Sequence, residues 1–288
     1  MLSPAQTGRQ RRRRSPPSLK QQYQEYILQR VEGFKNSIGR EELLRLGDEA
    51  VAELSATVEG QFVLTEVLML DSVDRLIMKR LRLRSYRRWR EQNLKLRAAQ
   101  RVPTHWGIDG RGPVARLLAR LEPGDGALVV GAGAASAACL LAAHDVAVTF
   151  LADDLHVVDQ VESRVAGEAL AGQFSAYVVW PGGWLPELEH EVNVVVLDTG
   201  ILAGSSTRAR THLVTSLQHL TTPEGMHVLL PGERSPSAES YLALYAEWTR
   251  EVRKGDRKPG SAQPGGVLVI KPACRVDTPA HVSEQHEA

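Results

Sequence analysis

Leu128-Val129-Val130-Gly131-Ala132-Gly133-Ala134-Ala135-Ser136 passes from three apolar residues through two glycines into small ones, and residues 137–143 continue as an alanine-rich, helix-forming run. The stretch reads as a strand, a glycine turn and a helix. Gly131 permits the tight turn, Gly133 removes the side chain that would keep a ligand from the backbone, and the small Ala135 and Ser136 let the helix pack close to the strand. The helix start then presents free amides. Small residues also serve plain helix-on-strand packing, so the turn alone leaves both readings open. About 20 residues further on, Asp153 and Asp154 follow Phe150-Leu151-Ala152. A carboxylate at that point can accept hydrogen bonds from both hydroxyls of a ribose, and either aspartate can equally cap a helix.

Outward from this turn, residues 127–130, 146–151, 175–179, 192–197, 226–230 and 267–270 are short apolar or β-branched runs separated by helix-length segments. Alternation of this kind predicts an α/β fold. Its sheet is doubly wound, mostly parallel and Rossmann-like, with helices on both faces and a ligand crevice at the carboxyl ends of the strands. Just upstream, residues 113–121 read as a helix and Pro123-Gly124-Asp125-Gly126 as a turn.

The amino-terminal third has a different grammar. Residues 1–18, with Arg11, Arg12, Arg13 and Arg14 beside Ser, Pro and Gly, contain too little apolar surface to offset the entropy of ordering and read as a basic disordered tail. Residues 19–101 carry apolar positions at three-and-four spacing and predict a helical domain, with a helix restart at Gly39-Arg40, a break at Glu59-Gly60 and a broadly apolar third helix at its centre. Residues 102–126 form a linker and lead-in helix, 127–273 the Rossmann-like domain, and 274–288 a carboxyl-terminal tail.

Of the 288 residues, 43% are hydrophobic and 24% charged, which excludes gross disorder and fibrous repeats. No run approaches the roughly 18 uninterrupted apolar residues of a membrane span, and the basic amino terminus lacks the apolar core of a signal peptide. A cytoplasmic chain without a membrane role is expected, its oligomeric state open. Cys139 and Cys274 are isolated, with no ligand spacing for a structural metal.

The net charge of +1 hides an asymmetry: residues 1–101 hold 21 Lys and Arg against 12 Asp and Glu, and the remainder 14 against 22. Residues 75–101 concentrate it in Arg75, Lys79, Arg80, Arg82, Arg84, Arg87, Arg88, Arg90, Lys95, Arg97 and Arg101, with Glu91 the one acid and Tyr86 and Trp89 between. Read as one helical stretch, this segment suits nucleic acid, by phosphate contacts and base stacking. It suits equally an internal interface with the acidic second domain, or an acidic small substrate. His105 and Trp106 follow directly, so the junction is expected to face the ligand mouth.

Leu213, Val214, Leu217, Leu220, Thr222, Pro223, Glu224, Gly225 and the apolar residues 226–230 read as helix, Pro-x-Gly turn and strand. This resembles the region after the fourth strand of class I S-adenosylmethionine-dependent methyltransferases. Gly265-Gly266-Val267-Leu268-Val269-Ile270-Lys271-Pro272 is similar to that family's last antiparallel strand. The resemblance spans about residues 104–273 and rests on order and spacing. It implies S-adenosylmethionine bound over Gly131, Ala132 and Gly133, with Asp153 or Asp154 at the ribose. Trp180, opening Trp180-Pro181-Gly182-Gly183-Trp184, stands where the family often has an Asp beside the adenine, and an indole can stack there; Trp184 is equally a buried loop anchor. At the end of the fourth strand Asp198, with Thr199 and Gly200, is the catalytic candidate, placed to orient or deprotonate a nucleophile or to cap the Ser205-Ser206-Thr207 region.

Two departures from the family stand out. An acidic residue is usual at the position of Val129 and a third glycine at that of Ala135. Methyl transfer from a sulfonium asks chiefly for alignment and exclusion of water, so no triad and no metal cluster is expected. The rival classes are a non-catalytic, methyltransferase-like binding or scaffold protein and a nicotinamide- or flavin-binding oxidoreductase. The methyl acceptor, whether RNA or an acidic small molecule, is left open.

Overall fold

The computed structural model describes residues 18–57, 66–170, 172–180, 185–186, 190–232, 238–251 and 266–273. Residues 1–17 of the tail expected over 1–18, the helix break at Glu59-Gly60, Pro181 through Trp184 and the segment 274–288 lie outside the described residues; Ser18, the last residue assigned to the tail, instead belongs to the start of the first helix. Two compact units divide the chain between Leu96 and Arg97.

In the first unit Ser18 caps α1 (Leu19–Ser37): its hydroxyl accepts from the Gln21 amide at 3.3 Å, and the Gln21 side chain accepts from the Ser18 amide at 2.7 Å. α2 (Arg40–Thr57) starts after Gly39. α3 (Glu66–Arg80) contributes Val73, Leu76 and Ile77 to a core shared with Val31 of α1 and Leu46 and Ala50 of α2. The basic segment is not one helix. α3 ends in a Schellman motif, in which the Leu83 amide donates to Met78 O and the Arg82 amide to Lys79 O. Arg82 holds the left-handed position at φ 49°, and α4 (Tyr86–Gln100) starts afresh.

The second unit is built on a seven-stranded sheet. After α5 (Pro113–Leu117) and a 3-10 turn (Leu118–Arg120), which together replace the single helix expected over 113–121, come β1 (Gly126–Val130), α6 (Ala135–Ala143), β2 (Ala147–Ala152) and α7 (Leu155–Gly167). Then follow β3 (Phe174–Val178), β4 (Val192–Asp198), α8 (Thr207–His219), β5 (Thr221–Leu230), β6 (Thr249–Glu251) and β7 (Val267–Ile270). The order across the sheet is β3-β2-β1-β4-β5-β7-β6, with β7 antiparallel to both neighbours and the first five strands parallel.

Side chains of β1 alternate between two cores, as the two-residue period of a strand demands. Ala127 and Val129 join α5, α6 and α7 on one face; Leu128 and Val130 join α8 and the 3-10 segment Ala238–Tyr245 on the other. Two expectations are corrected. β6, Thr-Arg-Glu, is too short and polar to show a strand pattern. Pro223-Glu224-Gly225 is not a turn ahead of the fifth strand but lies within β5, absorbed as an irregularity where the register to β4 shifts between Val192 and Val194 and Glu224 takes φ 62°. No helix among the described residues is long and apolar enough to cross a membrane.

Candidate functional site at the carboxyl edge of the sheet

The chain leaves β1 toward β2 on one side and returns to β4 on the other, so β1 and β4 are hydrogen-bonded neighbours whose following segments diverge to opposite faces. That divergence opens a crevice at the carboxyl edge. Gly131 enters it with φ 98°, a conformation a side chain resists, and a 3-10 turn (Ala132–Ala134) leads into α6.

Asp198, the last residue of β4, is buried against this turn. Its Oδ2 accepts from the Gly133 amide at 2.7 Å and its Oδ1 from the Gly200 amide at 2.8 Å. A Cβ built on Gly131 would lie 2.6 Å from the Asp198 Cβ, one on Gly133 2.7 Å from its Oδ2, and one on Gly200 2.9 Å from its Oδ1. The glycines are therefore needed first to admit a carboxylate of this chain. Thr199 locks the neighbouring strand end: its hydroxyl donates to Leu230 O at 2.9 Å and accepts from the Gly232 amide at 3.2 Å. Gly232 itself packs on Gly200, a contact with no room for a side chain. Sequence reading missed Gly232, whose one signal is its place just after a strand end, at Leu230-Pro231-Gly232.

The two aspartates after β2 have different partners. Asp154 is the N-cap of α7, its Oδ1 accepting from the His156 amide at 2.8 Å. Asp153 is exposed, and its carboxylate makes no hydrogen bond with the described residues. Trp180, two residues past β3, is 80% exposed. Gly131, Ala132, Gly133, Asp153, Trp180 and Asp198 thus all sit at strand ends on the same edge of the sheet. Val129, where an acid was missed, is fully buried in the α6 core.

His105 and Trp106 belong elsewhere. Trp106 Nε1 donates to Gln100 O at 2.6 Å, Gln100 reaches Glu168 at the end of α7, and Arg101 pairs with Asp145 at 2.6 Å just past α6. Helices in such a sheet run antiparallel to the strands, so the ends of α6 and α7 mark the amino edge. The expectation that this junction faces the ligand mouth is thereby corrected.

A second buried polar group also went unforeseen. His227 of β5 is fully buried, with Nδ1 2.9 Å from the Tyr245 hydroxyl and Nε2 2.7 Å from Thr221 Oγ1. The Thr221 hydroxyl donates to Leu217 O at 2.7 Å, so it accepts from Nε2–H, and Nδ1 accepts from Tyr245. Burial first, and the Lys271 ammonium second, push the imidazole from 6.5 down to about 3. Lys271 is fixed by donation to Gln218 O and Thr221 O at 2.8 and 2.6 Å. His227 sits beside Val195 in the middle of β4, and its hydrogen bonds go to Thr221 and Tyr245 and not to the carboxyl-edge cluster. Among the described residues no group of His, Cys, Asp and Glu is arranged to hold a metal ion.

No protein-family model and no curated protein matches the chain. Among solved structures it is similar to the N-methyltransferase NodS from Bradyrhizobium japonicum WM9, at 13% identity over 55% of this chain and 92% of that one, with a TM-score of 0.45. It is similar to the glycopeptide N-methyltransferase MtfA complexed with S-adenosyl-L-homocysteine, at 13% identity over 58% and 91% with a TM-score of 0.43. An rRNA methylase from Streptococcus thermophilus matches at 8% identity over 55% and 93%, with a TM-score of 0.42. By its sheet order, its reversed seventh strand and the glycine turn at its switch point, the chain has a doubly wound, mostly parallel Rossmann-like α/β fold.

Proposed function

We propose that the chain binds S-adenosylmethionine at the carboxyl edge of its sheet and transfers the methyl group to an acceptor. The observation that carries this reading is the Asp198 carboxylate seated in the glycine turn. A turn that holds a dinucleotide keeps its helix-start amides for the oxygens of a pyrophosphate. Here the Gly133 amide is engaged by a carboxylate, and a pyrophosphate brought alongside would meet a like charge. At about 4 Å and an effective dielectric of about 20 that repulsion is about 4 kcal/mol per unit charge. A ligand carrying an ammonium and a sulfonium meets the opposite sign, which favours methyl transfer over the nicotinamide or flavin class.

The remaining residues fit the same ligand. Asp153, left free by Asp154's capping of α7, is the acceptor for ribose hydroxyls; Trp180 offers an exposed indole face for an adenine; Gly131 and Ala132 keep the turn low. When bound, S-adenosylmethionine supplies a methyl group on a sulfonium, an electrophile that needs no further activation. Two of the roughly four acceptor positions on the Asp198 carboxylate are used by amides, leaving the others to hold a ligand ammonium or orient the acceptor's nucleophile. A second reading, a methyltransferase-like protein without catalysis, is favoured by the buried Val129 where the family places an acid.

Calorimetric titration of the full chain with S-adenosylhomocysteine and, separately, with NAD tests the proposal. Saturable binding of the first and none of the second is expected. Absence of binding at millimolar S-adenosylhomocysteine overturns it and leaves the scaffold reading.

A further inference from the structure

Every cation of α3 has an acidic partner, as does Lys35 of α1: Lys35 bridges Glu32 at 2.9 Å and Asp74 at 2.8 Å, Arg75 pairs with Asp71, Lys79 with Glu53 at 3.2 Å, and Arg80 with Glu49. Lys20, Arg40 and Arg45 are scattered singly along α1 and α2 without an ion pair to the described residues, and Arg30 lies over the Tyr26 ring at 5.8 Å. From residue 82 to 95 six cations face the single acid Glu91, which Arg87 takes at 3.4 Å, while Arg84 donates to Gln92. Arg82, Arg88, Arg90 and Lys95 are exposed and have no ion pair with the described residues of their own unit.

Local physics opposes this placement. The first turn of α4 has no acid and carries arginines instead, at the end of the helix whose amides are already positive. Arg82 occupies a left-handed position that glycine takes without cost. Neither choice helps the unit fold, and a local rule broken without a folding gain points to function.

The aromatic residues decide what kind of ligand fits. Tyr86 lies edge-on to Tyr23 at 5.3 Å, Trp89 lies 5.4 Å from Tyr23 and 6.1 Å from Tyr26, and the Tyr23 hydroxyl donates to Arg84 O at 2.9 Å. These rings fasten α4 to α1 and are not free platforms for unstacked bases. Arg88 and Lys95, seven residues apart, share the helix side away from Tyr86. The exposed surface of the segment is chiefly guanidinium and ammonium, with Leu94, Leu96 and only part of Tyr86 beside them.

We propose that residues 82–95 form a contact surface for the phosphate backbone of a double-helical nucleic acid, read by charge and shape and not by base stacking. The binding itself does not depend on the methyl-transfer reading; with that reading it makes nucleic acid the acceptor class. Fluorescence anisotropy with a labelled RNA hairpin, a DNA hairpin of the same sequence and an unpaired oligouridine, across a salt series and without cofactor, tests it. The full chain should bind both hairpins more tightly than oligouridine. If each of four contacts displaces counterions at about 0.9 per phosphate, substituting Arg82, Arg88, Arg90 and Lys95 by Gln should lower the slope of log affinity against log salt by about 3 to 4, with the melting temperature unchanged. Arg82→Gly alone should lower the slope by about 1 and hold or raise the melting temperature. Preference for the RNA hairpin over the DNA one supports A-form recognition of the same backbone. Absence of binding, a wild-type slope in the fourfold variant, tighter binding of oligouridine, or a fall in stability with binding intact overturns the proposal, the last by moving these cations into pairs within the chain. Failure here with S-adenosylhomocysteine still bound leaves the carboxyl-edge site standing.

Discussion

Acidification should destabilise the second unit through one residue. His227 is buried neutral, held by the Tyr245 hydroxyl at Nδ1 and by Thr221 at Nε2, and pushed from 6.5 to about 3. Between those two values the unfolded chain binds a proton at His227 that the folded chain refuses. Stability is therefore fully present above pH 6.5 and is lost as the pH falls toward 3, at about 1.4 kcal/mol per pH unit. Relative to pH 7 the loss from this group is about 2 kcal/mol at pH 5 and about 3 kcal/mol at pH 4. Urea unfolding of wild type and His227→Gln at pH 7, 6, 5 and 4 isolates it, because every other titrating group is common to both chains. Trp248, 4.5 Å from the imidazole, reports by fluorescence. At pH 7 the variant should be less stable by about 1 to 3 kcal/mol, having lost one partner of a buried pair. By pH 5 that deficit should shrink by about 2 kcal/mol. Parallel curves for the two chains across this range would refute the reasoning.

Gly133→Ala should lower the melting temperature, since its Cβ would meet Asp198 Oδ2 at 2.7 Å; the double variant with Asp198→Ala should recover part of the loss, and strict additivity in that cycle would count against the contact. Lys271→Met should cost about 1 to 3 kcal/mol by orphaning the carbonyls of Gln218 and Thr221, measured by urea unfolding, while the His227 pKa rises toward its ordinary value once the neighbouring charge is gone. Trp89→Ala should destabilise the first unit by about 3 kcal/mol through loss of its contacts with Tyr23 and Tyr26, seen as a lower transition in thermal unfolding. Asp198→Ala should speed hydrogen exchange at the Gly133 amide, a readout that needs no ligand.

The sheet was legible because its inner strands obey strong local rules: Val194, Val195, Val196 and Leu197 form a run fit to be buried on both faces, and Gly131 sits where only a turn with positive φ follows a strand. β6 escaped because three polar residues at a sheet edge carry no period. The Pro223-Glu224-Gly225 bend was misplaced because Pro and Gly announce a change of direction without saying whether the chain leaves the sheet or kinks within it. At the site, strand ends and glycines were readable, but the reach of Asp198 across to Gly133 joins residues 65 apart. Such a contact follows from the adjacency of β1 and β4, which no local pattern encodes. Tyr86 and Trp89 illustrate the same limit: beside arginines they suggested base stacking, and only the packing of α1 reveals their occupation.

The position of β7 sets a schedule for synthesis. Val267–Ile270 is the last strand among the described residues, yet it lies inside the sheet, bonded to β5 on one side and β6 on the other. While the ribosome is still short of residue 267, β1 to β5 can assemble, but β5 presents a bare edge and Thr249–Glu251 has nothing to pair with. The nascent domain must carry that open edge until Val267–Ile270 slides between the two waiting strands, an interval in which edge-to-edge capture by another chain is the competing reaction.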